Sequence, residues 1–227
     1  MVFTLDEVVP WGRSFEEYVA MFALSEADLG RRILGCSDGP AGFNSVLTKR
    51  GGRVVSADPL YQFRAEQIGA RIDEAYELVL EQTRRNRDEF VWDRIASVEE
   101  LGRIRMAAMR EFLSDFESGK RQGRYQTAGL PVLPFRDGEF DLALCSHFLF
   151  VYSAHFTADF HVSAIEEMCR TSAEARIFPV LELGSRKSRH LDEVIDRLES
   201  SGYNVAVQTV AYEFQKGGNQ MLKVSAG

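Results

Sequence analysis

Small residues and two carboxylates follow an apolar run near the start of the chain. Arg32-Ile33-Leu34 leads into a turn that contains Gly35, Ser37, Asp38 and Gly39, and Asp58 ends a second apolar run 19 residues after Gly39. This order predicts a strand, a tight turn, a helix and a second strand that ends in a carboxylate, which is a nucleotide-binding βαβ unit. A carboxylate at that position can accept hydrogen bonds from both hydroxyls of a ribose. The spacing therefore predicts a site for an adenosine-containing ligand.

The turn does not match a dinucleotide site. A Gly-x-Gly-x-x-Gly spacing would be expected there, whereas small residues occupy positions 35, 37, 39, 41 and 42 with Asp38 among them. A carboxylate beside a pyrophosphate would be repelled, so Asp38 favours a ligand with positive charge, such as the ammonium and sulfonium of S-adenosylmethionine. An oxidoreductase that uses a dinucleotide is thus disfavoured, and a plain glycine-rich loop stays an alternative.

Three segments carry a resemblance to a known family: the glycine loop at 33–43, Ser-Ala-Asp-Pro-Leu at 56–60, and the run Leu-Pro-Phe-Arg-Asp-Gly-Glu-Phe-Asp-Leu at 133–142 with its continuation to 146. The chain resembles the class I S-adenosylmethionine-dependent methyltransferases over most of its length. The Asp-Gly-Pro-Ala loop, the Ser-His-Phe-Leu-Phe run at 146–150 and the segment 213–220 look like a group of bacterial single-domain members. The resemblance implies S-adenosylmethionine as cofactor and S-adenosylhomocysteine as product.

The loop departs from the family pattern at two positions. The family places an acidic residue where this chain has Gly35 and a glycine where it has Ser37. Either Asp38 supplies the missing carboxylate, or the loop binds the cofactor through backbone groups and a water. If the turn requires a positive φ at Ser37, the serine adopts it at a cost of about 1 kcal/mol.

The resemblance implies cofactor contacts along the whole site. Gly35, Ser37 and Gly39 would line the methionine and ribose, Asp58 would bind the ribose hydroxyls, and Arg13 would pair with the methionine carboxylate or lie on the surface. The complete set of expected cofactor-binding residues is Arg13, Gly35, Ser37, Asp38, Gly39, Asp58, Pro59, Leu60, Gly129, Leu130 and Ser146.

Substrate-side residues are expected after the fourth strand, in the run from Ser146 to Tyr152. His147 is the candidate base, because its ordinary pKa is near 6.5, and Tyr152 is the second candidate catalytic residue. A packed, hydrogen-bonded histidine and a tyrosine that only shapes the pocket or faces a cation remain alternatives. His155 and His161 lie six apart, which does not place two ligands on one helical face, so we predict no metal site.

The order of the elements predicts an α/β fold. Apolar and capping patterns predict strands at 125–128, 140–145 and 176–183, and a terminal antiparallel pair at 204–211 and 220–224. The resemblance implies a Rossmann-like, seven-stranded, mostly parallel sheet in the order 3-2-1-4-5-7-6 with helices on both faces. We expect a single domain over 1–227. About 65 residues separate strands two and three, so 62–122 is predicted to be a helical insertion, either a lid over the pocket or a buttress or dimer contact.

Composition narrows the class of substrate. The 227 residues carry a net charge of −7, which argues against a nucleic-acid partner. The arginines at 84, 85, 87, 103, 105 and 110 alternate with acidic residues, which predicts a solvated helix surface. No run reaches the ~20 apolar residues of a membrane helix. Residues 1–7 lack the basic region of a secretion signal, and the three cysteines are unevenly spaced, so a cytoplasmic location is expected.

The sequence thus predicts a methyltransferase that acts on a small molecule by in-line transfer. A protein that binds S-adenosylmethionine or S-adenosylhomocysteine without catalysis is one alternative, and an enzyme that methylates a protein or RNA partner is another. Whether a homodimer forms is left open.

Overall fold

A computed structural model describes residues 9–227, so the expectation drawn from residues 1–7 lies outside the described part. A twisted sheet of seven strands forms the centre of this part, in the order β3-β2-β1-β4-β5-β9-β8. Its strands are β1 Arg32–Cys36, β2 Arg53–Ala57, β3 Tyr125–Gln126, β4 Leu142–Ser146, β5 Glu174–Phe178, β8 Tyr203–Thr209 and β9 Gln220–Ala226. A two-stranded hairpin, β6 Leu181–Glu182 with β7 Arg186–Lys187, lies outside the sheet.

The predicted strand order is confirmed. The first five strands of the sheet run parallel, and β9 pairs antiparallel with both β5 and β8. The small hairpin takes numbers six and seven, so the predicted sixth and seventh strands are β8 and β9. Every residue of β4 is buried, as expected for a central parallel strand covered on both faces.

Helices cover both faces of the sheet. They are α1 Phe15–Met21, α2 Glu26–Leu29, α3 Phe43–Lys49, α4 Ala65–Arg85, α5 Val98–Arg121, α6 Ala158–Thr171 and α7 Leu191–Ser200. The predicted capping box at Ser14 is confirmed: its Oγ accepts from the Glu17 N–H, and the Glu17 carboxylate accepts from the Ser14 N–H. This cap fixes the start of α1 beside the glycine turn, because the Gly42 N–H donates to the Arg13 carbonyl at 3.0 Å.

The long segment between β2 and β3 contains two antiparallel-packed helices, α4 and α5, as predicted. Only half of the second predicted capping box forms. Ser97 Oγ accepts from the Glu100 N–H, but the Glu100 carboxylate accepts from the N–H of Ala96 rather than from that of Ser97. The extended backbone of Ser97 turns its N–H away from the first helical turn, so the preceding residue takes its place.

Two predicted strands are shorter than expected. The fifth strand ends at Phe178 because Pro179 follows, and proline has no N–H to continue the ladder. The third strand keeps only two residues at the sheet edge. Among the helices of residues 9–227, none is both long and apolar enough to cross a membrane.

Candidate functional site

One large cavity, of about 660 Å³, opens at the carboxyl ends of the parallel strands. The turns after β1 and β2 and the segments after β3 and β4 line it on the sheet side. The insertion and the loop between β8 and β9 line its far side. Ligands of open α/β sheets bind at this edge, and the volume is typical of small-molecule sites.

Asp58 joins the ends of β1 and β2 at the cavity. Its Oδ2 accepts from the Gly39 N–H at 2.8 Å and its Oδ1 from the Leu60 N–H at 2.7 Å. Burial raises the pKa of Asp58, although these two bonds oppose the shift. Each oxygen keeps a second lone pair, so the carboxylate can accept further hydrogen bonds from a ligand in the cavity.

Asp38 turns back over Gly35. A Cβ placed on Gly35 would lie only 1.8 Å from Asp38 Oδ2, so a larger residue at position 35 would displace the carboxylate. Asp38 Oδ1 accepts from the Tyr18 hydroxyl at 2.8 Å, and Oδ2 accepts from the Ser56 hydroxyl at 2.7 Å. Burial raises the pKa of Asp38 to about 6. The Asp38 carboxylate thus lies over Gly35, the position at which the family has an acidic residue.

The turn requires left-handed backbone at two positions. Ser37 has φ +56° and Gly39 has φ +55°. A Cβ added to Gly39 would meet no atom within 4 Å, so glycine is needed there for its backbone conformation rather than for space. Ser37 thus has the positive φ that its position in the turn suggested. Unlike a glycine, the serine has a Cβ, which makes this conformation strained.

A buried ionic cluster joins α1 and the β8–β9 loop to the insertion. Arg105, from α5, is 1% exposed and pairs with Glu17 of α1. Glu17 also accepts from the Tyr212 hydroxyl at 2.8 Å. Burial opposes the charged form, yet Arg105 lowers the pKa of Glu17 and Glu17 raises that of Arg105, so both groups are ionised.

Arg13 lies beside this cluster and faces the cavity. Its guanidinium donates to the Trp11 carbonyl, and burial and the charge of Arg105 lower its pKa to about 10. Within residues 9–227, the Nε–H groups of both Arg13 and Arg105 are buried without an acceptor. These two cations share the single carboxylate of Glu17.

His147 and Tyr152 both line the cavity. Burial, with the charges of Arg13 and Arg105, lowers the pKa of His147 well below its ordinary value. The ring Nδ1 lies 2.9 Å from Ser146 Oγ, and the backbone has φ +53°. The imidazole is therefore neutral in the folded protein, and the role of His147 as a base stays a prediction. Burial raises the pKa of Tyr152, so its hydroxyl is a donor.

The structure brings most of the expected site residues together. The cavity is lined by Arg13, Ser37, Asp38, Gly39, Asp58, Pro59, Leu60, Gly129, Leu130, Ser146, His147 and Tyr152. Gly35 is not among the described lining residues, because the Asp38 carboxylate covers it.

Sequence reasoning missed the far half of the cavity. Arg105 was predicted to lie on a solvated surface, but it is buried against the cavity. Its position four residues after Leu101 and four before Met109, both buried, is the signal that could have placed it on the inner face of α5. Phe90 and Phe214 were also missed; no local pattern joins residues so far apart.

These aromatic side chains close the far end of the cavity. Phe90, Trp92 and Phe214, here named the aromatic clamp, form a cluster in which Phe90 and Phe214 stack at 4.9 Å between ring centroids. The Val91 N–H donates to the Phe214 carbonyl at 2.7 Å, which fastens the insertion to the loop between β8 and β9. In the described part of the chain, no group of three or more His, Cys, Asp or Glu residues is arranged to hold a metal ion.

We compared the chain with protein families, with known sequences and with solved structures. No protein-family model matches the chain. The uncharacterized protein MJ0045 of Methanocaldococcus jannaschii is 32% identical over 219 residues, which cover 96% of each chain.

Solved structures are more distant. A magnesium protoporphyrin IX methyltransferase from Synechocystis with bound SAH is 13% identical, with a TM-score of 0.50 over 93% of this chain and 81% of the other. A putative S-adenosylmethionine-dependent methyltransferase from Methanococcus maripaludis is 12% identical, with a TM-score of 0.46 over 93% and 83% of the two chains. The chain belongs to the family of the Methanocaldococcus protein, and its fold is that of the class I S-adenosylmethionine-dependent methyltransferases.

Proposed function

We propose that this protein is an S-adenosylmethionine-dependent methyltransferase that acts on a small molecule and releases S-adenosylhomocysteine. The observation that carries the proposal is the Asp58 carboxylate, held by the Gly39 and Leu60 N–H groups on the wall of the cavity. A carboxylate fixed at the end of the second strand is placed to bind a ribose, and Asp38 beside it favours a cation.

The residues at the cavity wall suit the cofactor from end to end. Leu60 and Leu130 offer apolar faces to an adenine, and the close approach of Pro59, 2.9 Å from a Cβ placed on Gly129, leaves no room for a side chain there. Asp58 would bind the ribose, and the guanidinium of Arg13 would pair with the methionine carboxylate. Asp38 would offset the ammonium or sulfonium charge.

The cofactor, when bound, would supply an electrophilic methyl group: a lone pair of the acceptor would form the new bond to the methyl carbon while the C–S electron pair returned to sulfur. The chain itself contributes orientation and exclusion of water. His147 is a weak base because its pKa is depressed, and Tyr152 retains its proton. The acceptor would therefore enter as an anion or release its proton to solvent. Neither side chain is required as a strong base.

The insertion supports a small substrate. Residues from α4 and α5 line the cavity, and the aromatic clamp fastens the loop between them to the β8–β9 loop. We propose that residues 62–122 act as a lid of the single domain. A protein or RNA acceptor would have to reach past this cover. The cysteines of the described part are unpaired, which agrees with a cytoplasmic location.

Calorimetry with S-adenosylmethionine, S-adenosylhomocysteine and NAD tests the proposal. We expect micromolar binding of both sulfur ligands and none of NAD. Asp58→Asn should weaken both by roughly tenfold, because it removes a charge-assisted acceptor. Asp159→Asn, at a side chain that is 83% exposed, is the matched control and should bind normally.

The outcomes separate the alternatives. Preference for NAD, or no binding of either sulfur ligand, would overturn the proposal. Binding without transfer of labelled methyl to any member of a small-molecule, protein and RNA extract would favour a non-catalytic binding protein. Label that enters only macromolecules would contradict the small-molecule assignment.

A further inference from the structure

The substrate half of the cavity is rich in positive charge. Arg13 and Arg105 line the same cavity as His147, and burial together with their charges lowers the pKa of His147. Glu17 is the carboxylate paired with this cluster, and it already accepts from Ser14, Arg105 and Tyr212. Asp38 and Asp58 lie on the cofactor side, at the glycine turn.

Arg105 keeps donor capacity towards the cavity. Its side chain is 1% exposed, and its Nε–H has no acceptor among residues 9–227. An unsatisfied buried donor on a charged group is costly, and a ligand that accepts its hydrogen bond would remove that cost. Arg71 also lines the cavity, but its side chain is 54% exposed and pairs with Glu74 at 3.3 Å. Because Arg13 is assigned to the cofactor, Arg105 is the buried guanidinium left for the substrate.

The walls around this donor are apolar and aromatic. Trp11, Phe90, Phe148 and Phe214 line the cavity, with Val79 and Leu101 between them. Such walls suit a planar or apolar body with few polar groups. The Glu17 carboxylate beside Arg105 would repel a second negative charge, so a monoanion is favoured over a phosphate dianion.

We propose that the substrate is a small aromatic or apolar carboxylic acid, whose carboxylate is bound by Arg105 while its body packs against Phe90 and Phe214, the two members of the aromatic clamp that line the cavity. This assignment rests on the proposed function for the role of Arg13. Arg105 is a binding residue from the insertion, so the insertion recognises the substrate as well as covering it.

Binding of 1-naphthoate and of its neutral isostere 1-naphthamide tests the assignment, with and without saturating S-adenosylhomocysteine. The native protein should bind naphthoate at least tenfold more tightly than naphthamide, since the anion gains a charge-assisted hydrogen bond. The double variant Glu17→Gln/Arg105→Gln removes this ion pair as a unit and leaves Arg13, which the carboxylate of bound S-adenosylhomocysteine would occupy. With saturating S-adenosylhomocysteine, the variant should therefore bind the two probes equally. Arg103→Gln, on the same helix with a side chain 74% exposed, should keep the native preference.

Each result has one meaning. Equal binding of the two probes by the native protein, or a naphthoate preference that survives in the double variant, would overturn the assignment. A tenfold loss of S-adenosylhomocysteine affinity in the double variant with no change in the naphthoate preference would place the cofactor carboxylate on Arg105, and it would also overturn it. If S-adenosylhomocysteine fails to bind the native protein, the proposed function is wrong. The preference for naphthoate, measured without S-adenosylhomocysteine, then tests the role of Arg105 separately.

Discussion

Ionisation of the buried Asp38 carboxyl near neutral pH lowers the free energy of unfolding of the protein. Burial raises its pKa from the ordinary value of 3.8 to about 6. The folded state therefore binds this proton more tightly than the unfolded state does, and the resulting stabilisation is complete below about pH 3.8 and lost as the pH rises through about 6. The shift corresponds to about 3 kcal/mol, of which about 1.4 kcal/mol falls between pH 5 and 8.

Asp38→Asn removes the titration and keeps the shape of the side chain. Its amide oxygen can still accept from Tyr18, and its amide can donate to the Ser56 hydroxyl oxygen, which reverses one hydrogen bond. We expect the variant to gain stability relative to the native protein as the pH rises. The difference in free energy of unfolding should increase by about 1.4 kcal/mol from pH 5 to pH 8.

Urea unfolding at several pH values measures this difference, because urea is uncharged and does not screen the carboxylate. Subtracting the two proteins cancels the titration of every other group. Asp159→Asn, which makes the same substitution at a side chain that is 83% exposed, serves as the control. A difference between Asp38→Asn and the native protein that stays constant from pH 5 to 8 would refute the reasoning.

Three further changes probe the turn, the ionic cluster and the clamp. Ser37→Gly should raise the free energy of unfolding by up to about 1 kcal/mol in urea titrations, because it relieves φ +56°; a loss of stability would contradict a strained turn. Glu17→Gln should lower it by about 3 kcal/mol, since the buried guanidinium of α5 loses its counter-ion, and an unchanged midpoint would show that the pair is not needed. Phe214→Ala removes the stack on Phe90 and should accelerate amide hydrogen exchange at Val91; unaltered exchange there would mean that the backbone bond closes the cavity alone.

The parts of the fold that follow from local patterns were predictable. Alternating strands and helices, the turn at 35–42 and the terminal hairpin predicted a mostly parallel sheet with an antiparallel edge, and the resemblance to the methyltransferases implied the strand order. The early end of the fifth strand could also have been predicted from Pro179, because proline has no N–H to donate to the hydrogen bonds of the sheet. What failed was the assumption that an apolar run continues through a proline.

The sheet side of the cavity was predictable because most of its residues follow the ends of predicted strands. The far side was not, since it is built from the insertion and the β8–β9 loop, which meet only in the folded chain. Arg105 shows the difficulty: charged residues recur along its helix, as at Arg103 and Arg110, and interleaved charges of both signs indicate a solvated face. Its burial depends on Glu17, 88 residues earlier, which no local pattern reveals.

The hydrogen bond between Tyr212 and Glu17 spans 195 positions of the chain. Contacts of such high sequence separation form late in folding, because loop closure has to precede them. During synthesis the first five strands of the sheet could assemble while the far wall of the cavity was still missing, since that wall includes the loop before β9. Ligand affinity in this protein should therefore emerge only after nearly the whole chain has left the ribosome, which would make binding a marker of completed folding.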